Sequence, residues 1–576
     1  MKKKILIFLC IIFVLFCGTF VYLKYFLLKA KDFKPDYSKA KSAVDLRPSI
    51  IAKLQQLVND GSNGLYILNI GRIEPDVLAS KLDAFKVSLN VDSARMKELD
   101  QQKKLPDDIF KVYVDSLHID GIGIEYLLHS KTIDVTGIFI TKPYIEVHHD
   151  LKSYNKDVRE HANSTSLYNL IREQVNSINV KQISLQHGSL VISEGPKRRR
   201  VTKLDDLGIN MVDVRMDSST QHDDGRLLFS KKVDVTAKDY EIATADSMYY
   251  FKTALLNFSS QNKQAVLKHV QLVPRGSREN LLRRSAYREE ILGFDLETVK
   301  LNGVDWWTMV DRDKFMVEKG EVIGGKFSIY LDKSKPSATN DDDIDFPQQT
   351  LMKIETPVAV DHLDISSVKL TYEEYNPVSK QSATVYFDNV NGSFDNVSNI
   401  PEKIKQHPSV VFNANALLMH HVPMKFQLNF ELAHPNAGQY SADVEIGELD
   451  NETVNPVGQP LGLFYIKSGN MDNGKISISG NKLNADAKIS MIYKDLHIDP
   501  LKVDAAGDLK KKRVSALIGN ILFIKNSNPS DGKIIRRPEY NFVRKPGANF
   551  FNMLWNVTLT GILKTFGIPV KLVIKN

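Results

Sequence analysis

The sequence predicts a mostly β fold: an elongated antiparallel sheet built from tandem repeats, with an N-terminal transmembrane helix and a few short helices. Three observations carry that expectation. Much of the chain alternates apolar and polar residues with a period of two, as one-sided strands do. Two long stretches echo each other about 182 residues apart. One apolar run near the N-terminus has the length of a bilayer span.

The bulk numbers agree with this class. A chain of 576 residues exceeds one ordinary core, so it holds several domains or one long repetitive structure. With 43% hydrophobic and 25% charged residues it is a folded chain. A net charge of +7 over this length does not argue for nucleic acid, and no basic segment is interleaved with stacking aromatics. The two cysteines, Cys10 and Cys17, both lie in the first apolar stretch. The rest of the chain therefore has no disulfide, cysteine zinc site or thiol nucleophile, which suits an oxidising compartment and is equally explained by drift in composition.

Residues 1–29 read as an uncleaved transmembrane signal anchor. Lys2, Lys3 and Lys4 precede ILIFLCIIFVLFCGTFVYL, residues 5–23, a run of 19 uncharged residues. As a helix it rises about 28 Å, close to the thickness of a bilayer's hydrocarbon core. Lys24, Lys29 and Lys31 flank the far side, with Tyr22 and Tyr25 placed as interfacial anchors. A cleaved signal peptide is the competing reading, but no small-x-small cleavage site is found, and Phe16 before Cys17 is too bulky for the usual lipoprotein signal. The expectation is a single-pass protein with a cytoplasmic N-terminus and its bulk on the far side. Residues 30–63 follow as a Lys-rich stalk and a short amphipathic helix, PSIIAKLQQLVNDG, in which Ile51, Leu54 and Leu57 keep helical spacing and Gly61 caps the end.

The echo starts with VDSLHIDGIGIEYLL (114–128) and LETVKLNGVDWWTMV (296–310), anchored by Gly121 and Gly303, where 303 − 121 = 182. LYILNIGRIEPDVLASKLDAFKVSL (65–89) resembles YYFKTALLNFSSQNKQAVLKHVQLV (249–273). TIDVTGIFITKPYIEVHHD (132–150) resembles KFMVEKGEVIGGKFSIYLD (314–332). VKQISLQHGSLVIS (180–193) resembles VDHLDISSVKLTYE (360–373). The order is kept and the offset stays near 182. This predicts two β-repeat units, 64–248 and 249–430, and a C-terminal β region, 431–576.

Alternation is clearest late in the chain. KFQLNFEL puts Phe426, Leu428, Phe430 and Leu432 on one face; KLNADAKISMIY puts Leu483, Ile489 and Met491 on one face; YSADVEI (440–446) alternates likewise. These seven named residues are the candidate apolar lining. A repeated unit with one apolar face closes as a barrel, packs as a sandwich, or stacks into an extended sheet. An open sheet cannot leave a long apolar face in water. Helices, a second sheet, or a ligand with tails must cover it, and the sequence has no helix-rich block able to cover two units. A partly lipid-filled groove and a closed sandwich stay open as solutions.

The combination of an anchor, a short helix, and then strand, L-x-I-x-G, strand, P-x-I-x-V resembles bacterial AsmA-like proteins. Here it reads LHIDGIGIEYLL followed by KPYIEVHHD, and VKQISLQHGSLVIS resembles that family's paired strands. The likeness covers most of the chain, at the level of pattern. It implies an envelope protein held in the bacterial inner membrane with its body in the periplasm. It implies a sheet curled lengthwise into a groove with an apolar concave face. AsmA-like proteins are similar to bridge-like lipid transfer proteins, so the implied partners are phospholipid acyl chains and the inner membrane, with an envelope protein at the C-terminal end. The implied work is phospholipid transport and envelope integrity, without catalytic residues, cofactor or nucleic acid. The chain is shorter than the family's large members, so the likeness does not imply that one molecule bridges the envelope. The rival expectation is a non-enzymatic assembly protein whose closed β-sandwich domains bind another envelope protein.

The remaining motifs are weighed against plainer readings. NFFNMLWNVTLTGILKTFGIP (549–569) carries Met553, Trp555, Leu559, Ile562, Leu563 and Phe566 at roughly helical spacing, closed by Gly567 and Pro569. This C-terminal amphipathic helix packs on the sheet's end, or lies on a membrane, or meets a partner. The pairs His148–His149 and His420–His421 read as surface histidines, because neighbouring strand residues point to opposite faces. The basic runs 197–200 and 510–513, with Arg536 and Arg537, read as solvated loops, as does DDDIDFP (341–347). Trp306 and Trp307 stand where the first copy has Ile124 and Glu125, and at least one is expected in a core or an amphipathic lid. The sequons at Asn163 and Asn391 carry nothing in a bacterial protein. No phosphate loop, G-x-S-x-G or H-E-x-x-H motif occurs, so an enzyme is not expected.

Overall fold

The computed structural model describes residues 47–576 apart from 77–78, 122–131, 156–175, 196–199, 221–222, 224, 245–247, 285, 313, 337–343, 505–507, 512–524, 531–533, 546, 569 and 571–576. The expected anchor and most of the stalk, with Cys10 and Cys17, lie outside the described residues. So do Ile124, Glu125, Asn163 and parts of both basic runs and the acidic loop. Among the described residues no helix is long and apolar enough to cross a membrane. Strand makes up 60% of the described residues and helix 18%, so the fold is mostly β.

Two compact units divide at residues 267 and 268. The first carries helix α1 (Arg47–Gly61), β1 (Tyr66–Asp76), β2 (Lys81–Val91), α2 (Ser93–Gln101), β3 (Asp108–Asp120), β4 (Thr132–Thr141), β5 (Tyr144–His149), β6 (Ser177–Glu194), β7 (Arg200–Met216), β8 (Ser230–Ala243) and β9 (Tyr249–Ser259). Strand β10 (Gln264–Pro274) contains the division, so the unit boundary falls later than the repeat boundary read at 248/249. Helix α1 docks where Gln55 donates to the Leu68 carbonyl at 3.1 Å. Asp92 caps α2 by accepting from the Ala94 and Arg95 amides, and Leu99 packs with Leu65 and Leu105 beneath it.

The second unit carries α3 (Arg278–Arg284), β11 (Glu290–Val304), α4 (Trp306–Asp311), β12 (Phe315–Asp332), α5 (Pro347–Met352), β13 (Val358–Asn376), β14 (Gln381–Ser398), α6 (Pro401–Gln406), β15 (Ser409–Leu418), β16 (Val422–Glu431), β17 (Tyr440–Ile446), α7 (Asn451–Val457), β18 (Phe464–Gly480), β19 (Asn484–Val503), β20 (Leu509–Lys511), β21 (Glu539–Val543) and α8 (Phe550–Phe566). No division falls at 430/431: β16 and β17 on either side of it pair directly.

The sheet is mixed, which corrects the expected antiparallel one. Strands β4 and β5 both run parallel to β6, and β12 runs parallel to β13. A parallel joint needs a crossover of a dozen residues or more, and residues 333–357, with α5, supply one. Side-chain period reports which face a residue takes, not which way the neighbouring strand runs, so the sequence pattern was silent on this point.

The duplication is present in backbone detail. The parallel joint lies between Val135 and Val180 in one unit and between Val317 and Val360 in the other. A bulge interrupts the next pairing between Leu185 and Gly188, and again between Ile365 and Val368. Left-handed residues recur at offsets of 182 or 183: 324 − 142 = 182 for Lys142 and Gly324, 389 − 206 = 183 for Asp206 and Asn389, and 396 − 213 = 183 for Asp213 and Asn396. The anchoring glycines Gly121 and Gly303 share φ +65°. A Cβ on Gly121 would collide with Thr136, and one on Gly303 with Glu318, again 182 residues on. Only glycine fits a turn that is both left-handed and crowded. Gly303→Ala is therefore expected to lower the stability of the second unit by about 1–3 kcal/mol. Trp306, Trp307 and Trp555 are the chain's three tryptophans, so fluorescence-monitored urea unfolding follows this unit. An unchanged midpoint would remove the steric reason for the glycine.

Candidate functional site: a two-faced curled sheet

Register places the second unit's apolar residues in rows that cross the sheet. One row runs Val299, Val322, Ile365, Gly392, Ala414, Phe426, Val444, Ile476, Ile489, from β11 to β19 without a break. The next runs Leu301, Gly320, Leu363, Phe394, Phe412, Leu428, Ala442, Ile478, Ala487 and ends at Tyr540 of β21. Between them, on the opposite face, runs Lys300, Glu321, Asp364, Ser393, Asn413, Gln427, Asp443, Ser477, Lys488, Glu539. One face is apolar and the other polar over ten strands, which is period-two alternation written across a whole unit.

The sheet curls with the apolar face inward. Phe550 packs on Tyr440 of β17, with ring centroids 5.0 Å apart. The adjacent residue, Asn549, hydrogen-bonds Glu290, the first residue of β11. In a flat sheet β11 and β17 would lie six strand spacings, about 29 Å, apart. Two neighbouring residues can touch both strands only if the sheet folds toward α8. Burial pushes the Glu290 carboxyl above its ordinary value, opposed by its hydrogen bond to Asn549.

The apolar face is covered at one side and half-open at the other. Helix α8 lies on β16 to β19, where Phe430, Ile476, Ile478, Ile489, Phe550, Met553 and Val557 form one buried cluster. Phe346, from the crossover before α5, plugs the same cluster and meets Phe550 edge-on at 5.5 Å. Asn549 caps the helix by accepting from the Asn552 amide, and Gly567 ends it in the left-handed conformation. From β11 to β15 the same face stays half-buried: Leu292, Phe294, Phe327, Leu370, Phe394 and Phe412 are all partly exposed. Phe394 stacks on Phe412 at 4.0 Å, and Phe412 meets Phe426 at 5.3 Å. These aromatics on β11 to β15 were not singled out in the sequence. The signal was there in the even spacing of KFSIYLD and SVVFNANALL; in β12 and β13 the left-handed Gly324 and the bulge around Val368 interrupt the alternation.

The candidate lining residues fall in three environments. Phe426 lies on the half-open part, packed against Val368, Val390 and Ala416. Leu428, Phe430, Leu432, Ile489 and Met491 belong to the cluster under α8, where Ile489 is 0% exposed. Leu483 is 67% exposed and lines nothing. It sits in the turn before β19, whose geometry is set by Asn481 accepting from the Leu483 and Asn484 amides. The residues of the C-terminal stripe divide between two sides of α8. Met553 and Leu563 are buried, Ile562 and Phe566 pack on the cluster, and Trp555 and Leu559 face away from it.

The first unit repeats the pattern of faces with a different outcome. Its row Ile73, Ala84, Leu117, Ile140, Leu185, Ile209, Val235, Phe258 is also unbroken. Ile73, Ile140, Leu185 and Ile209 are buried, whereas Val299, Val322, Ile365 and Phe426 of the second unit are not.

The other motifs take structural places. His148 meets Ser193 at 3.0 Å and His149 meets Asp108 at 2.7 Å; His420 meets Asp388 at 2.6 Å and His421 meets Thr453 at 3.0 Å. Each pair is split, and among the described residues no three metal-binding side chains cluster. Trp306 and Trp307 open α4, capped by Asp305, and both are half-buried. Lys510 pairs with Asp504, and Arg536 donates to the Tyr493 hydroxyl at 3.0 Å.

The polar face is stitched by ion pairs. His362 of β13 bonds Asp395 at 2.6 Å and Asp364 at 2.9 Å, and Lys319 bonds Asp364 at 2.8 Å. The Asp395 bond holds the His362 imidazolium above its ordinary value of 6.5, with Asp364 adding to it. A raised folded value means the pair stabilises fully below pH 6.5 and loses its contribution as pH rises through the raised value. Both partners are substantially exposed, so the effect stays below about 1 kcal/mol. The urea midpoint of the wild type should fall on going from pH 6 to pH 8 by more than that of His362→Gln; equal slopes would contradict the assignment.

No family model matches the chain, and no curated protein matches it.

Proposed function

We propose that the chain carries lipid acyl chains along the half-open apolar side of its second unit. It does so as a membrane-anchored, periplasmic protein of AsmA-like type that moves phospholipid between membranes of a bacterial envelope. The observation that carries this reading is the pair of unbroken apolar rows on the inner side of a curled sheet, half-exposed from β11 to β15. Such a face is costly in water, and alkyl tails cover it without needing any directional partner. The opposite face, rich in ion pairs, suits solvent. No catalysis is required: movement needs a continuous lining, a start in a membrane and a gradient.

The buried rows of the first unit favour a second reading, in which a dry module serves assembly by binding another envelope protein. One experiment separates the two. The full chain, extracted in mild detergent and washed, is stripped with organic solvent and its lipid measured by mass spectrometry. The carrier reading expects phospholipid at one molecule per chain or more; only trace lipid, at the level of a control membrane protein, supports the assembly reading.

A further inference from the structure

A polar group interrupts the inner face of the second unit's trough at the rim where β11 begins. The first row there runs Glu290, Leu331, Glu374, Ala383, and the next runs Leu292, Ile329, Tyr372, Val385. Phe294, Phe327 and Leu370 form the third. Four residues of β11 separate Glu290 from Phe294, about 13 Å along the strand. Arg288 lies two residues before Glu290 and joins the group. Its charges are unequally matched. Glu374, 6% exposed, accepts from the Tyr372 hydroxyl at 2.8 Å and pairs with Lys333 at 2.5 Å. Glu290 accepts from Asn549. Arg288 is half-buried and makes no ion pair among the described residues. Its Nη2 donates to the Lys333 and Lys335 carbonyls at 3.2 and 3.1 Å, and its Nε–H, shut from solvent, meets no acceptor. Desolvation works against its charge; Glu374, Tyr372 and Asp332 favour it from a distance without bonding it. A guanidinium keeps its proton in a protein. Half-buried, it carries a desolvation cost that no bonded anion offsets.

We propose that Arg288 binds the phosphate of a glycerophospholipid whose acyl chains lie on the row of Phe294, Phe327 and Leu370. The proposal rests on the lipid-carrier reading and adds which end of the lipid the protein recognises. Guanidinium donors match phosphate oxygens in charge and geometry. One molecule meets both surfaces: its phosphate at the rim, its glycerol over Leu292 and Tyr372, its tails on the aromatics beyond. The phosphodiester is common to glycerophospholipids, so the site separates them from uncharged diacylglycerol and is indifferent to the headgroup alcohol.

The test uses the full chain in detergent, freed of lipid by exchange and reloaded with equal amounts of phosphatidylglycerol and diacylglycerol bearing the same acyl chains. Lipid retained after washing is measured by mass spectrometry. The wild type should retain the phospholipid roughly tenfold over the diacylglycerol, the worth of one charge-assisted contact. Arg288→Gln should bring the ratio near one and keep the total bound lipid, because the face under the tails is untouched. Arg288→Lys keeps the charge without the planar fork, so its ratio should fall between, and it reads the site even where the glutamine variant is unstable. An unchanged ratio in both variants would overturn the proposal and leave the carrier reading intact. Wild type that retains neither lipid would sink the carrier reading and this site with it. Inorganic phosphate is the second probe, measured by equilibrium dialysis. Binding to the lipid-free wild type as tight as that of the phospholipid would assign Arg288 to the free anion and overturn the headgroup site.

Discussion

Ile489→Asp is expected to unfold the second unit. Ile489 is 0% exposed, ends an apolar row that crosses the sheet, and touches α8 where Gly561 comes close. Gly561 is itself wedged between Ile489 and the Tyr540 hydroxyl, so that even a Cβ there would collide with both. A carboxylate there has neither a partner nor solvent. Burying it costs several kcal/mol, of the order of the whole stability of a unit. Its escape is for α8 to lift, which would release Phe550, Met553 and Val557 together. The expected result is loss of cooperative urea unfolding by tryptophan fluorescence. Ile489→Val, which keeps shape and polarity, should cost only about 1 kcal/mol. A folded, cooperative Ile489→Asp would mean that α8 does not cover this face.

Phe426→Asp, one row position away from the helix cluster, should behave in the opposite manner. Phe426 is half-exposed and packs at the boundary between the covered and half-open parts. Its carboxylate can reach water in the empty trough, so stability should fall by only about 1–2 kcal/mol. With alkyl chains present the same carboxylate must be desolvated against them, and co-purifying lipid should drop roughly tenfold or more. Asn413→Asp, on the opposite face of the neighbouring strand, is the matched control and should leave lipid content unchanged. Equal lipid loss in both variants would assign the effect to general damage.

How much of this was legible in the sequence follows from what alternation encodes. KFQLNFEL and YSADVEI gave β16 and β17 with their faces correctly divided, because both strands are free of bulges. The two glycines in the echoed stretches were the trace of a shared left-handed turn, visible because only glycine tolerates it. Leu483 was misplaced because alternation, extended by one residue, ran into a turn made by Asn481. In β13 and β14 the apolar residues were harder to read because bulges shift the period inside single strands, whereas Phe412 lies in an unbroken strand and was simply not singled out. The covering of one side of the trough could not be read at all. It depends on α8 returning from residues 550–566 to strands that begin at 422, and on Phe346 arriving from the other direction. The division of the C-terminal stripe, four residues on the packed side of α8 and two on the other, has the same origin: periodicity gives a direction, not the identity of what lies on each side.

The central claim is that the inner face of the second unit, from β11 to β15, holds alkyl chains. It is tested most directly with a phospholipid bearing a photoactivatable diazirine in its acyl chain, loaded onto the full chain and cross-linked by light. Peptide mapping should place adducts at Phe294, Phe327, Leu370, Phe394 and Phe412, and leave the row from Lys300 to Glu539 unlabelled. Adducts spread evenly over both faces, or none on β11 to β15, would contradict it.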